Sequence, residues 1–187
     1  MELSNNSRCT AFEGTRRIAS GAPVDIMPTV KKARKPVLIF DDVSGEMIEM
    51  DLRGTLEEVL ARLSPEGAAR EETPRGPGRP KLGVVAREVT LLPRHWDWLN
   101  DQPGGASVAL RKLVEEASRA RAGLDRQRRA REAAYRFMSA IAGDLPGYEE
   151  AIRGLFAGNS KHFRASTKAW PADIREYAMQ LAEPSFE

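Results

Sequence analysis

One cysteine in 187 residues, Cys9, leaves no partner for an intramolecular disulfide and no cysteine-based metal centre. Histidine is nearly as scarce. His95 and His162 are the only two, and no nucleophile–base spacing, phosphate loop or metal-ligand cluster accompanies them. No catalytic residue, metal or cofactor is therefore expected, and His95 beside Trp96 reads as a partly buried or phosphate-facing residue. No apolar run approaches the roughly 18 residues that a membrane span needs. The start of the chain lacks the apolar stretch and cleavage site of a secretory leader. A cytoplasmic, non-enzymatic protein without membrane attachment is expected.

Charge of one sign is also missing, since the net formal charge is only +2. Its distribution is uneven. Residues 64–136 hold 15 basic against 10 acidic side chains, whereas residues 1–63 and 137–187 are slightly acidic. With 41% hydrophobic and 30% charged residues the composition is that of an ordinary globular protein.

Pattern and punctuation divide the chain into four parts and give an α+β class. Residues 1–63 read as a small α+β module. Thr10 to Phe12 and Arg16 to Ile18 flank a Glu13-Gly14 turn, and Pro23 to Arg34 reads as a short helix despite Pro28. Pro36 to Phe40 is a strand, and Met47 to Leu52 returns as its partner with Ile48, Met50 and Leu52 on one face. Thr55 and Glu58 make a capping box for a helix to Leu63. Asp41, Asp42 and Glu46 sit near the hairpin turn and read as solvated turn formers.

Residues 64–86 form a Pro/Gly-rich basic linker containing Arg75, Gly78-Arg79-Pro80-Lys81. This string resembles the core of an AT-hook, an extended peptide that places arginine in a narrow A·T minor groove. It departs from that pattern in having Pro77, not arginine, before Gly78. A plain hinge with solvating charges is the other reading.

Residues 87–120 carry the most informative pattern. A strand over Arg87-Glu88-Val89-Thr90-Leu91-Leu92 runs into Pro93, which suits the first position of a helix reaching about Asp101. Trp96 and Leu99 share one side of it. Pro103-Gly104-Gly105 breaks the helix, and Ser107 is positioned to cap a second one with Leu110, Leu113, Val114 and Ala117 on one face. Trp96, Leu99, Leu110 and Leu113 are the expected core of this unit. The order of elements resembles the ribbon–helix–helix proteins. That resemblance implies a homodimer whose paired strands enter the DNA major groove. Arg75, Arg79, Lys81, Arg87, Glu88, Thr90 and Ser107 are then the candidate DNA-binding residues. Neither face of the strand presents the Arg, Lys, Asn or Gln row that base reading favours. A protein–protein adaptor of the antitoxin kind, in which the unit only dimerises, is the alternative.

Residues 121–187 read as helical. Arginines from Arg119 to Arg136 decorate a continuing helix, either as a solvated face or as phosphate contacts. Helices follow over Tyr135 to Ala142, Tyr148 to Phe156, Asn159 or Ser160 to about Ala169, and Pro171 to about Leu181. The strings Gly78 to Leu99, Phe40-Asp41-Asp42, Asp51-Leu52-Arg53-Gly54 and Trp170-Pro171-Ala172-Asp173-Ile174-Arg175 resemble an uncharacterised bacterial family of about this length, a domain of unknown function. That resemblance implies no activity, cofactor or site.

Overall fold

A run of four buried residues, Cys9 to Phe12, starts the fold. In the computed structural model, which describes residues 8–63, 85 and 87–187, β1 (Cys9–Glu13) is flanked by β2 (Arg16–Gly21) and β3 (Val37–Asp41), both antiparallel to it. The sheet order is β2-β1-β3. As the central strand, β1 buries Cys9, Ala11 and Phe12 completely. Helix α1 (Pro23–Val30) connects β2 to β3 and stops four residues short of Arg34. Pro28 removes one backbone donor inside it, and the helix continues for only two residues beyond.

The expected strand from Met47 to Leu52 does not form. A single bridge joins Phe40 to Met47, and the Ile48 amide donates to the Ile39 carbonyl at 2.7 Å, after which the ladder ends. Side chains take the remaining carbonyls. Lys31 Nζ donates to Leu52 and Gly54, and Arg62 donates to Asp51 and Arg53. The apolar alternation was read correctly, for Ile48, Met50 and Leu52 pack on the cluster of Cys9, Ala11, Ile26, Met27 and Val59. Helix α2 (Leu56–Leu63) begins with the capping box: the Glu58 amide donates to Thr55 Oγ1 and the Thr55 amide to Glu58 Oε2.

The helical elements that follow are α3 (Pro93–Asn100), α4 (Gly105–Ile141), α5 (Tyr148–Phe156), α6 (Ser160–Ser166) and α7 (Ala172–Ala182), with a 3-10 turn at Glu183–Ser185. Asn159 caps α6 by accepting the His162 amide at 3.0 Å. α6 ends at Ser166, short of Ala169. Trp170 anchors the next turn by donating its indole N–H to the Pro146 carbonyl at 2.8 Å. The seven α-helices and one small sheet among the described residues make an α+β protein.

The chain divides into two compact units, residues 1–70 with 124–187 and residues 71–123. The segments 1–63 and 121–187, set apart by the sequence, therefore share one core. Phe12 and Phe40 from the sheet meet Phe137 from α4 and Tyr177 from α7, with ring centroids 4.7 to 5.4 Å apart around Phe137. All four are buried. The boundary expected at residue 120 falls within α4, which runs unbroken from Gly105 to Ile141 through Gly123. Gly45 seats the β3 turn on the helix. A Cβ there would lie 2.1 Å from the Ala133 carbonyl oxygen, and its φ of 65° is one that glycine tolerates.

Candidate functional site

In the described part of the second unit, residues 87–92 precede the first helix. They form no strand and no ladder with any described residue, which corrects the expected strand. Arg87, Glu88 and Thr90 are exposed there, as are Val89 and Leu92. Leu92, extended at φ −68° and ψ 150°, leads into α3 with Pro93 as its first residue. The carbonyl of Leu92 accepts the His95 amide at 2.8 Å. Two consecutive glycines then turn the chain, Gly104 at φ 89° and Gly105 at φ 74°, a pair of conformations that a Cβ would strain.

Ser107 does not cap α4. The helix already starts at Gly105, because the glycine pair completes the turn and the Gly105 amide donates to Gln102. Ser107 is thus an exposed residue inside the first turn, and its carbonyl accepts Arg111 Nε at 3.0 Å. Arg75, Arg79 and Lys81 lie outside the described residues.

An apolar groove runs along this unit. Leu91, Trp98, Leu99, Leu110 and Leu113, with Arg94 and His95, line an open cleft of about 470 Å³. Among the described residues of this unit only Leu99 and Ala109 are buried; Trp98 is 51% exposed and Leu113 43%. Of the expected core, Leu99 is buried, Trp96 and Leu110 are half-buried and Leu113 is exposed, and Trp98 rather than Trp96 lines the groove. The signal was present in the sequence, since Leu91, His95, Trp98 and Leu99 recur at helical spacing. Along the rest of α4, Arg119 and Arg128 pair with acids of their own helix, and Arg136 pairs with both Glu132 and Glu46.

The first unit holds a polar centre that the sequence did not single out. Asp41 behaves as a turn former, accepting the Val43 and Ser44 amides. Asp42 differs. Its half-buried carboxylate accepts Thr10 Oγ1 at 2.7 Å and the Tyr177 hydroxyl at 2.8 Å, tying sheet to last helix. His162 Nε2 lies 3.0 Å from Glu150 Oε2, bracing α6 against α5. No group of three metal-ligating side chains occurs among the described residues, and no described helix is long and apolar enough to cross a membrane.

Burial, and then the Asp42 and Asp41 carboxylates, push the Cys9 thiol up to about 11 from an ordinary 9.0. Burial and Asp42 raise Tyr177 as well. A thiol kept protonated in the fold contributes stability that is whole below pH 9.0 and is lost as pH rises through about 11. The urea midpoint is expected to fall across that window, and to fall less in Cys9→Ala. Equal slopes in the two proteins would show that the thiol is not responsible.

No curated protein and no solved structure matches the chain. A family model covering residues 8–182, nearly the entire length, does match, and the chain belongs to that family, described as an uncharacterized protein conserved in bacteria (DUF2239).

Proposed function

We propose that the protein is a homodimeric, cytoplasmic DNA-binding regulator that works without catalysis or cofactor. One observation carries this reading: residues 87–92, which pair with no described residue, lie in the same small unit as an open apolar groove. Exposed strand edges and contiguous apolar surface are both unfavourable in water. A second copy related by a two-fold axis satisfies both. Its residues 87–92 pair antiparallel with their counterparts, and its helices cover Trp98, Leu110 and Leu113. The helix–turn–helix order after the strand supports the ribbon–helix–helix arrangement, in which that ribbon enters the major groove.

The basic excess of residues 64–136 supports a polyanionic partner. In this reading Glu88 and Thr90 face the groove from the ribbon with Arg87 on its other face toward the backbone, and the amides near Ser107 at the start of α4 hold a backbone phosphate. Arg75, Arg79 and Lys81 contact the adjacent backbone or minor groove. Retention of the full chain on DNA fragments in low and moderate salt tests the reading. Site-selective, salt-dependent retention is expected. Arg79→Ala with Lys81→Ala should flatten the salt dependence by about two phosphate equivalents. An unchanged slope would remove the minor-groove contact and leave a hinge.

The face formed by Glu88, Thr90 and Leu92 favours a second reading, since it is poor in base-reading side chains. There the unit dimerises and the partner is another protein. A stable dimer with no DNA retention at low salt would select it.

A further inference from the structure

The hairpin and α1 enclose a cleft of about 410 Å³ lined by Arg16, Arg17, Lys32 and Arg34, with Thr29 and Glu13 between them. Its size lies within the usual range for small-molecule sites, roughly 300–1,000 Å³. Two of these cations are already paired, Arg16 with Glu13 and Arg17 with Glu176, which leaves Lys32 and Arg34 to face the cleft uncompensated. Glu13 Oε1 accepts the backbone amides of Arg34 at 2.9 Å and Lys35 at 3.1 Å, and Oε2 accepts Arg16 Nη2 at 3.2 Å. Arg17 is directed elsewhere as well, its guanidinium lying 3.6 Å from Glu176 and its amide donating to Asp173. Lys32 and Arg34 have no acidic partner among the described residues.

This arrangement is built rather than accidental in one respect. The two amide bonds to Glu13 fix the chain after α1 in the turn that carries Lys32 and Arg34 to the cleft. The positive charge is also local, because residues 1–63 as a whole are slightly acidic. We infer that this cleft is a binding site for a phosphate-bearing small molecule, with Lys32 and Arg34 holding the phosphoryl group and Arg16 and Arg17 at its margin. A phosphate carries about two negative charges near neutral pH and several acceptor oxygens, which suits an ammonium beside a guanidinium fork. A carboxylate monoanion would offset only one of the unpaired cations. Ile18 and Ala33 line the same cleft and offer apolar contact for the rest of the ligand.

Titration calorimetry of the full chain with inorganic pyrophosphate, in the absence of DNA, tests the site. Saturable binding of one pyrophosphate per chain is expected, with acetate failing to compete. Lys32→Gln with Arg34→Gln should weaken it at least about tenfold, since two charge-assisted contacts are lost. Both side chains are exposed and Glu13 is held by backbone amides, so the fold is expected to tolerate the change. Lys168→Gln with Arg175→Gln, on α7 and the turn before it, should leave pyrophosphate affinity unchanged. No saturable binding up to about 10 mM would overturn the inference, because even weak ligands have dissociation constants near millimolar. So would binding that survives the Lys32/Arg34 double substitution. Duplex DNA that binds through these two residues while pyrophosphate does not would also refute the small-molecule assignment.

Discussion

Phe137→Ala is expected to lose about 3–5 kcal/mol of stability, the range for truncating a buried phenylalanine. Phe137 is fully buried, and its ring lies 4.9 Å from that of Phe40, 5.4 Å from Phe12 and 4.7 Å from Tyr177. Three parts of the chain thus lose contacts in one substitution, and α4 and the sheet are held by their own backbone bonds against collapsing into the gap. Urea unfolding measures the change, with Val43→Ala as comparison. Val43 is 78% exposed, and its truncation should stay within about 0.5 kcal/mol. If the two variants have similar midpoints, the sheet and the C-terminal helices do not share a core.

Thr90→Pro is expected to abolish self-association and, with it, retention on DNA. Proline cannot donate to a strand ladder, and at a strand centre its ring obstructs the partner chain. Thr90 makes no ladder contact with any described residue, so folding of the described first unit should be unaffected. Thr90→Val keeps the amide and the β-branched shape and should keep the dimer. Far-UV circular dichroism and the urea midpoint distinguish loss of pairing from loss of fold. A Thr90→Pro protein that still associates would place the interface elsewhere.

Local structure was legible in the sequence because its causes are local. Thr55 and Glu58 announce a helix start through two reciprocal hydrogen bonds, and both form. Asn159 marks the start of α6 by a similar side-chain bond, whereas Pro171 precedes α7 without one and signals the start only through its fixed φ. The hairpin at Glu13-Gly14 was visible through the flanking alternation. The joint core was not. Phe12, Phe40, Phe137 and Tyr177 lie on separate segments, and periodicity shows which face of an element is buried but not what buries it. The strand after Gly45 failed for a related reason: Lys31 and Arg62, distant in sequence, take the carbonyls that a ladder would have used. At the candidate site, the proline–helix–glycine order was readable, but the expected strand over residues 87–92 does not form and the phase of the helix was not readable. Trp98 lines the groove where Trp96 was expected, and the glycine pair starts α4 two residues ahead of Ser107.

Sedimentation equilibrium of the unmodified full chain is the most direct test of the two-fold ribbon. Over loading concentrations from about 1 to 50 µM, which bracket micromolar dissociation constants, the mass is expected to be twice the 20.7 kDa of the chain. A single-chain mass throughout that range would leave residues 87–92 and the Trp98 groove uncovered in solution, and would contradict a dimeric DNA-binding unit.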